Sequence, residues 1–593
     1  MSRRLPVSTL VALAIGLLVL AALTRAREQA QAPDAIFHNA RIVTLRGDEV
    51  VEAVAVTDGR ISASGASREM RRLAGPATRL VDLGGRTAVP GFYDNHVHLG
   101  GELQPWRGGM ISAVSPWLRD AESTPQLLAA VRRQATETPR GEWIRGSIAR
   151  EMFPNQLAPT RWQLDSAAPE HPVAIARGPH TLLLNSRALG LAKISRETPN
   201  PPGGWIIRDA RGEPNGRVLE AARRLVDDVM PREPRSPAGR GGGPADPPTE
   251  RYRRFLLEMA ALGITSVNVS GVSPADLRTI QALYERHGSE LPRATVQIRL
   301  SPGHDTYDDV EVGVRESIAL MEGLGVRTGF GTDRLKIGAI KMSIDGGLSA
   351  PVFWSLEDYE GRPGFRGAQR IPDDVFYRVA RRAHELGWQL GIHAMGDAAA
   401  VMVVDQLERI LAERPRADHR HFLHHVAVLP PPATLEKMAR LGIGVASQPG
   451  FTVALGAYAD EALQGAREAT QNPTRSLLRH RIRVSYGSDG APFGPLAGMH
   501  AAVTRRGWDE RVHGADEAVT IVEALRLHTL ESAWFTFDET TRGTLEVGKV
   551  ADMTVLSEDI LRTDPSRIRD IRVERTIVGG REIYVRGGSP ESR

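Results

Sequence analysis

The sequence predicts an α/β fold: a (β/α)8 TIM barrel, a small β-sandwich assembled from both chain ends, and a large insertion after the first barrel strand. Three observations predict it. Apolar, β-rich runs alternate with helix-length amphipathic segments through the middle of the chain, the pattern of a parallel sheet. Eight such runs can be counted, the number that closes a barrel. The two ends lack helical periodicity and read as short strands.

The chain opens with Arg3 and Arg4, an unbroken apolar run from Leu10 to Leu23, and Ala30-Gln31-Ala32. A basic start, a 14-residue apolar run and an A-x-A site predict a secretory signal peptide over residues 1–32. The run falls short of the ~20 residues that a membrane-spanning helix needs; an uncleaved anchor is the alternative. In either case the body is expected outside the cytoplasm, periplasmic or secreted, with no membrane contact beyond this segment.

Residues 33–89 hold β-rich runs such as IFHNARIVTL and VVEAVAVTDGRISASG, and residues 543–593 hold GTLEVGKVADMTVLSED and ERTIVGGREIYVRGG. One sandwich built from both stretches is the economical solution. The barrel then occupies 90–542. Its expected strands are GFYDNHVH (91–98), ITSVNV (264–269), TVQIRL (295–300), IGAIKMS (337–343), QLGIHA (389–394), HFLHH (421–425), IGVASQ (443–448) and IRVSYGSD (482–489). Helices such as Asp373–Leu386 and Pro432–Leu441 fall between them. Residues 99–263 form the insertion over the strand C-terminal face, where barrel enzymes keep their active sites. Within it, Ser236–Thr249 is rich in Gly and Pro and reads as a loop or hinge. The aromatics Trp106, Trp117, Trp143, Trp205 and Phe153 either line an apolar pocket or pack in a core.

Composition narrows the chemistry. The 593 residues are 41% apolar and 25% charged, which excludes fibrous and wholly disordered classes. Of the net charge of +4, +3 sits in residues 1–32, so the body has no field that favours nucleic acid. A small-molecule substrate is the expected partner, and a homodimer is left open. Cysteine is absent, which rules out disulfides, thiolate metal sites and a cysteine nucleophile; any metal must be held by nitrogen and oxygen. Lysine occurs only at 193, 336, 341, 437 and 549, so each invites a role that arginine cannot fill.

Five ligand-type side chains recur at the ends of predicted strands. His96 and His98 lie two apart, so both imidazoles can face one side and share an ion. His393 ends the fifth strand in LGIHAMGD, His425 the sixth in HFLHH, and Asp489 the eighth in VSYGSDGAP. Taken singly, the two histidines are as ordinary as core histidines and the aspartate as a turn former. Their joint placement at strand C-termini is what matters. Lys341 ends the fourth strand in IGAIKMSIDGG. A primary amine can react with carbon dioxide to give a carbamate whose oxygens bridge two metals, which arginine cannot do; a plain buried lysine is the alternative.

These residues bring a resemblance into view. VPGFYDNHVH, Lys341, His393, His425, Asp489 and GTLEVGKVADMTVL, with HPVAIARGPHTLLLNSRAL (171–189) and GGWIIRDARGEPNGRVLE (203–220), resemble the amidohydrolase superfamily of metal-dependent hydrolases. More narrowly the chain is similar to the amidohydrolase family 3 branch, over residues 34–580. The resemblance implies one metal on His96, His98 and Asp489, and a second on His393 and His425 bridged by carboxylated Lys341. It also implies that His180 reaches the active site as a substrate or transition-state contact, with Asp489 as catalytic base and then acid. Zinc is the first expectation, one or two ions per chain, with manganese, iron or nickel open. The implied activity is hydrolysis of a non-peptide C–N bond of the amide or formamide type. A deaminase or lactonase on the same site, and an inactive exported binding protein, are the alternatives. Where the branch has a glutamate before the sixth-strand histidine, this chain has His424, which strand alternation places behind the site.

Overall fold

The computed structural model describes residues 32–588 apart from 101–102, 107–108, 113, 149–158, 179, 232–246, 349–351, 464 and 491. The expected signal peptide (all but residue 32), Phe153 and most of the Gly/Pro-rich loop lie outside the described residues. Pro248 and Thr249, expected in that loop, instead open the helix Pro248–Ala261. Proline suits the first turn of a helix, where its missing N–H has no partner to lose.

Eight parallel strands run in sequential order around a barrel: β1 (Phe92–Val97), β2 (Ile264–Val272), β3 (Arg293–Arg299), β4 (Leu335–Ser343), β5 (Leu390–Ala394), β6 (Phe422–His425), β7 (Gly444–Ser447) and β8 (Val484–Tyr486). The ring is joined at its mouth, where Asp489 N donates to His96 O at 2.7 Å and Val97 pairs with Asp489. Outward apolar residues of the strands, such as Ile340, Met342 and Ile392, pack on surrounding helices in one continuous core. The helix Asp373–Glu385 illustrates the sequence logic. Val375, Phe376, Val379, Ala380 and Ala383 form its buried stripe, and two aspartates begin it where the helix dipole favours negative charge. The helix Pro432–Leu441 has the expected bounds.

Both chain ends meet in a six-stranded sheet. Arg41–Val43, Val50–Val51 and Thr87–Pro90 are followed by Met553–Leu556, Val573–Val578 and Arg581–Val585, and Thr87–Pro90 pairs antiparallel with Met553–Leu556. A four-stranded sheet of residues 35–82 packs on it through Phe37, Val54, Met553 and Ile577. The insertion folds into a five-stranded sheet in the order Ile144–Ile148, Val173–Arg177, Thr181–Leu184, Pro214–Glu220, Gly204–Arg208. This sheet has an apolar core of its own and hangs over the barrel mouth. Among the described residues, no helix is long and apolar enough to cross a membrane.

Candidate metal centre

A cavity of 480 Å³ lies between the strand C-termini and the insertion. All six strand-end residues line it: His96, His98, Lys341, His393, His425 and Asp489. The insertion adds His180.

His96 and His98 leave β1 on one side, their Nε2 atoms 3.3 Å apart. Asp489 Oδ1 stands 3.3 Å from His98 Nε2 and 3.7 Å from His96 Nε2. Two backbone features aim that carboxylate. Asp489 is held at φ 54°, and Gly487 leaves room for the crossing, since a Cβ there would meet His96 N at 2.4 Å. Asp94 clamps the same junction, with Oδ1 accepting from His96 N at 3.2 Å and Ser488 N at 2.8 Å. Burial lifts its carboxyl to about 6.

His393 and His425 stand ring against ring, centroids 4.4 Å apart, and His425 lies 4.7 Å from His96. His425 arrives there by a break in strand geometry. On β6 the regular alternation sends Phe422 and His424 to the same side, with centroids 4.8 Å apart. His425 (φ 75°) and Val426 (φ 55°) then leave the extended region, and the His425 ring turns back into the mouth. His424 is therefore not behind the site. It sits deeper in the barrel against the His96 ring, 4.3 Å away, with Nε2 on Gln297 Oε1 at 3.0 Å. Alternation fails as a guide here because the last strand residue is left-handed.

The donor set fits a divalent cation. His96, His98 and Asp489 hold ligand atoms within 4.8 Å of one another, the one such group of His, Asp and Glu side chains among the described residues. Burial holds His96 and His425 well below the usual imidazole range, so both rings are in the neutral, metal-ligating form. His425 has its tautomer set by Gln448: the amide Nε2 donates to Ala446 O at 2.9 Å, so Oε1 faces His425 Nδ1 at 2.5 Å and leaves Nε2 as the donor atom. His393 Nε2 approaches Asp345 Oδ1 (3.4 Å), a buried carboxylate that also accepts three backbone N–H groups, from Trp354, Met395 and Gly396. Lys341 is buried between these groups. Burial pushes its amine well below the ordinary lysine range, with Asp489 opposing and Arg299 adding to the fall.

His180 does reach the cavity, and its orientation comes from a residue that the sequence left unmarked. Glu220 Oε1 stands 2.7 Å from His180 Nδ1. Burial alone would raise the Glu220 carboxyl, but His180 and then Arg370 outweigh it and hold it at about 2. Glu220 sits at φ 50°, ψ −128°, a conformation ordinarily left to glycine, and such strain gathers at functional sites. Gly347 makes room for the ring, since a Cβ there would stand 2.8 Å from His180 Nε2.

The expected aromatic pocket lies elsewhere. Phe255, Phe451 and Phe493 line the cavity. Trp143 and Trp205 pack within cores of the insertion, and Trp117 lies against Gly146. The side chain of Trp106 lies outside the described residues.

Comparison with known proteins agrees with this architecture. N-substituted formamide deformylase of Arthrobacter pascens is 30% identical over 575 residues, 93% of this chain and 98% of that protein. Protein LONG AFTER FAR-RED 3 of Arabidopsis thaliana is 26% identical over 549 residues, 90% and 88% of the two chains. An uncharacterised metal-dependent hydrolase of Pyrococcus horikoshii superposes with a TM-score of 0.62 at 22% identity, covering 90% of this chain and 99% of the other, a likeness of fold. The profile of the amidohydrolase family matches residues 79–584, and the chain belongs to that family of metal-dependent hydrolases.

Proposed function

We propose that the protein is an exported hydrolase that cleaves a non-peptide amide bond, of the formamide or acyl-amide type. The observation that supports it most is the meeting of His96, His98, Lys341, His393, His425 and Asp489 at one cavity over the barrel mouth. In this reading His96, His98 and Asp489 hold one divalent cation, with zinc the first expectation, and His393 and His425 a second. Lys341 lies between them. Its amine nitrogen would attack carbon dioxide, forming the N–C bond and losing a proton, and the carbamate so made would add anionic oxygen ligands to the donor set. A divalent cation supplies Lewis acidity there, making water nucleophilic at neutral pH and polarising a carbonyl oxygen.

The chain's own residues complete the reaction. Asp489 accepts the proton of the attacking water and returns it to the departing nitrogen, base first and acid second. His180 donates Nδ1–H to Glu220 and, protonated on both nitrogens, donates Nε2–H to the oxygen on which negative charge develops. The 30% identity to a formamide deformylase supports the choice of bond. Export rests on Arg3, Arg4 and the Leu10–Leu23 run. The test is turnover of a panel of formamides, acyl amides, lactones and amino-heterocycles by wild type and Asp489→Asn. Amide turnover by wild type, abolished in Asp489→Asn with metal largely retained, is expected; unchanged turnover in the variant overturns the role of Asp489.

A further inference from the structure

Arg299 ends β3 and is the exposed residue of an otherwise buried strand, because its guanidinium opens into the cavity. In the β3–β4 register Arg299 is paired with Lys341, so both side chains leave the sheet at the mouth on the same face. Gly271, at φ 85°, gives the pair its seat. A Cβ there would stand 3.1 Å from Arg299 Nε and 3.2 Å from Lys341 Cγ.

The other arginine of the cavity is already matched: Arg370 Nη2 lies 2.6 Å from Asp305 Oδ2, and its Nη1 lies 3.8 Å from Glu220 Oε2. Arg299 has no hydrogen bond or ion pair among the described residues. A guanidinium stays charged at any physiological pH. Burial and then the nearby Arg370 act against its protonated form, while the carboxylates of Asp305, Asp489 and Asp276 favour it from a distance without forming an ion pair. With no direct side-chain partner among the described residues, the guanidinium is available to an anion that enters the cavity. Its fixed fork of N–H donors suits a carboxylate, which it can grip bidentately. The cavity also has apolar wall, with Leu348, Met395, Phe451 and Phe493 available to a hydrocarbon group.

We propose that Arg299 binds a carboxylate on the substrate, so that the amides hydrolysed here are anionic ones with the carboxylate next to the scissile bond, as in an N-acyl amino acid. This inference rests on the amide-hydrolase reading above. Water adds across the C–N bond, the acyl carbon gaining oxygen and the nitrogen leaving protonated. The acid and the amino acid are released, and the Arg299-bound carboxylate is unchanged throughout.

The test compares racemic N-formylphenylalanine with N-formyl-2-phenylethylamine, which differs only by the carboxylate, and the matching N-acetyl pair. Wild-type holoenzyme should favour the anionic member. In Arg299→Gln the ratio of kcat/KM for anionic over neutral amide should fall roughly thirtyfold or more, chiefly through KM, with metal content as in wild type. Equal losses on both amides would overturn the proposal. So would loss of metal in the variant, which would assign the cation to the metal platform and a Lys341 carbamate. If wild type turns over none of the four amides, the amide reading fails by itself, and calorimetric binding of 3-phenylpropanoate against 3-phenylpropanamide decides Arg299. Carboxylate affinity that is lost in Arg299→Gln supports the proposal, and equal affinity in both proteins refutes it. Arg299→Lys, which keeps the charge but not the fork, gives the same comparison should Arg299→Gln fail to fold.

Discussion

Replacing Glu220 by glutamine tests whether His180 is a positioned catalytic group or a packing residue. The substitution keeps shape and removes one charge. The Glu220 carboxyl lies at about 2 against an ordinary 4.5. At about 1.4 kcal/mol per pH unit, its neighbours favour the ionised form by ~3 kcal/mol. That figure is net of the cost of burial, so the 2.7 Å contact with His180, the 3.8 Å contact with Arg370 and the Gly347 backbone together supply more than this. If His180 stabilises charge that develops only in the transition state, part of this energy appears in kcat. A tenfold to roughly hundredfold fall in kcat, with KM moved less, is expected. The assay is steady-state hydrolysis of the best amide of the panel by wild type, Glu220→Gln and His180→Ala, with metal content as control. The reasoning is refuted if Glu220→Gln keeps kcat within about twofold while His180→Ala lowers it by more than tenfold.

Three further outcomes follow from the same geometry. Gln448→Leu frees the His425 tautomer and should weaken zinc binding about ten- to hundredfold in chelator competition; unaltered affinity would mean that Oε1 does not orient the ring. Gly487→Ala drives a Cβ to within 2.4 Å of His96 N and 2.9 Å of Asp94 Oδ1. It should cost ~1–3 kcal/mol of stability and loosen the metal, and an unchanged Tm would contradict the crossing described at the barrel seam. His528 is buried, with Nδ1 donating to Tyr93 O at 3.2 Å, and burial lowers it to about 4. The unfolded chain, with a value near 6.5, binds more protons between those limits. The contribution of His528 is therefore complete above pH 6.5 and is lost as pH falls towards 4, by ~3 kcal/mol in all. His528→Gln should lose less stability than wild type between pH 7.5 and 5, both compared as metal-free protein; equal losses would refute this.

The barrel was legible because each parallel strand is buried on both faces and reads as a compact apolar run, such as IGAIKMS or QLGIHA. The six strand-end residues were legible for the same reason: polar groups stand out at the end of an apolar run. The residues that orient them were not. Glu220 acts through a positive-φ backbone that no period announces, and its partner His180 lies in a turn just before the strand Thr181–Leu184 of the inserted sheet. Gln448 and Asp345 are polar residues just past strand ends, indistinguishable in sequence from ordinary turn formers. Arg299 lies one residue inside an expected strand in an arginine-rich chain, and only its lack of a side-chain partner among the described residues marks it. His424 and His425 show the limit of alternation: both face the barrel interior, because His425 and Val426 leave the extended region at positive φ, so only the side expected of His424 was wrong. The tryptophans of the insertion were ambiguous from the outset, because pocket and core call for the same residue types.

The most direct test of the account is metal per chain, measured by elemental analysis on protein purified without chelator, for wild type beside Lys341→Ala. The account predicts close to two equivalents in wild type and one or fewer in the variant. A wild-type protein that holds no metal even after zinc or manganese is supplied would contradict it and leave the cavity as a binding pocket without the proposed chemistry.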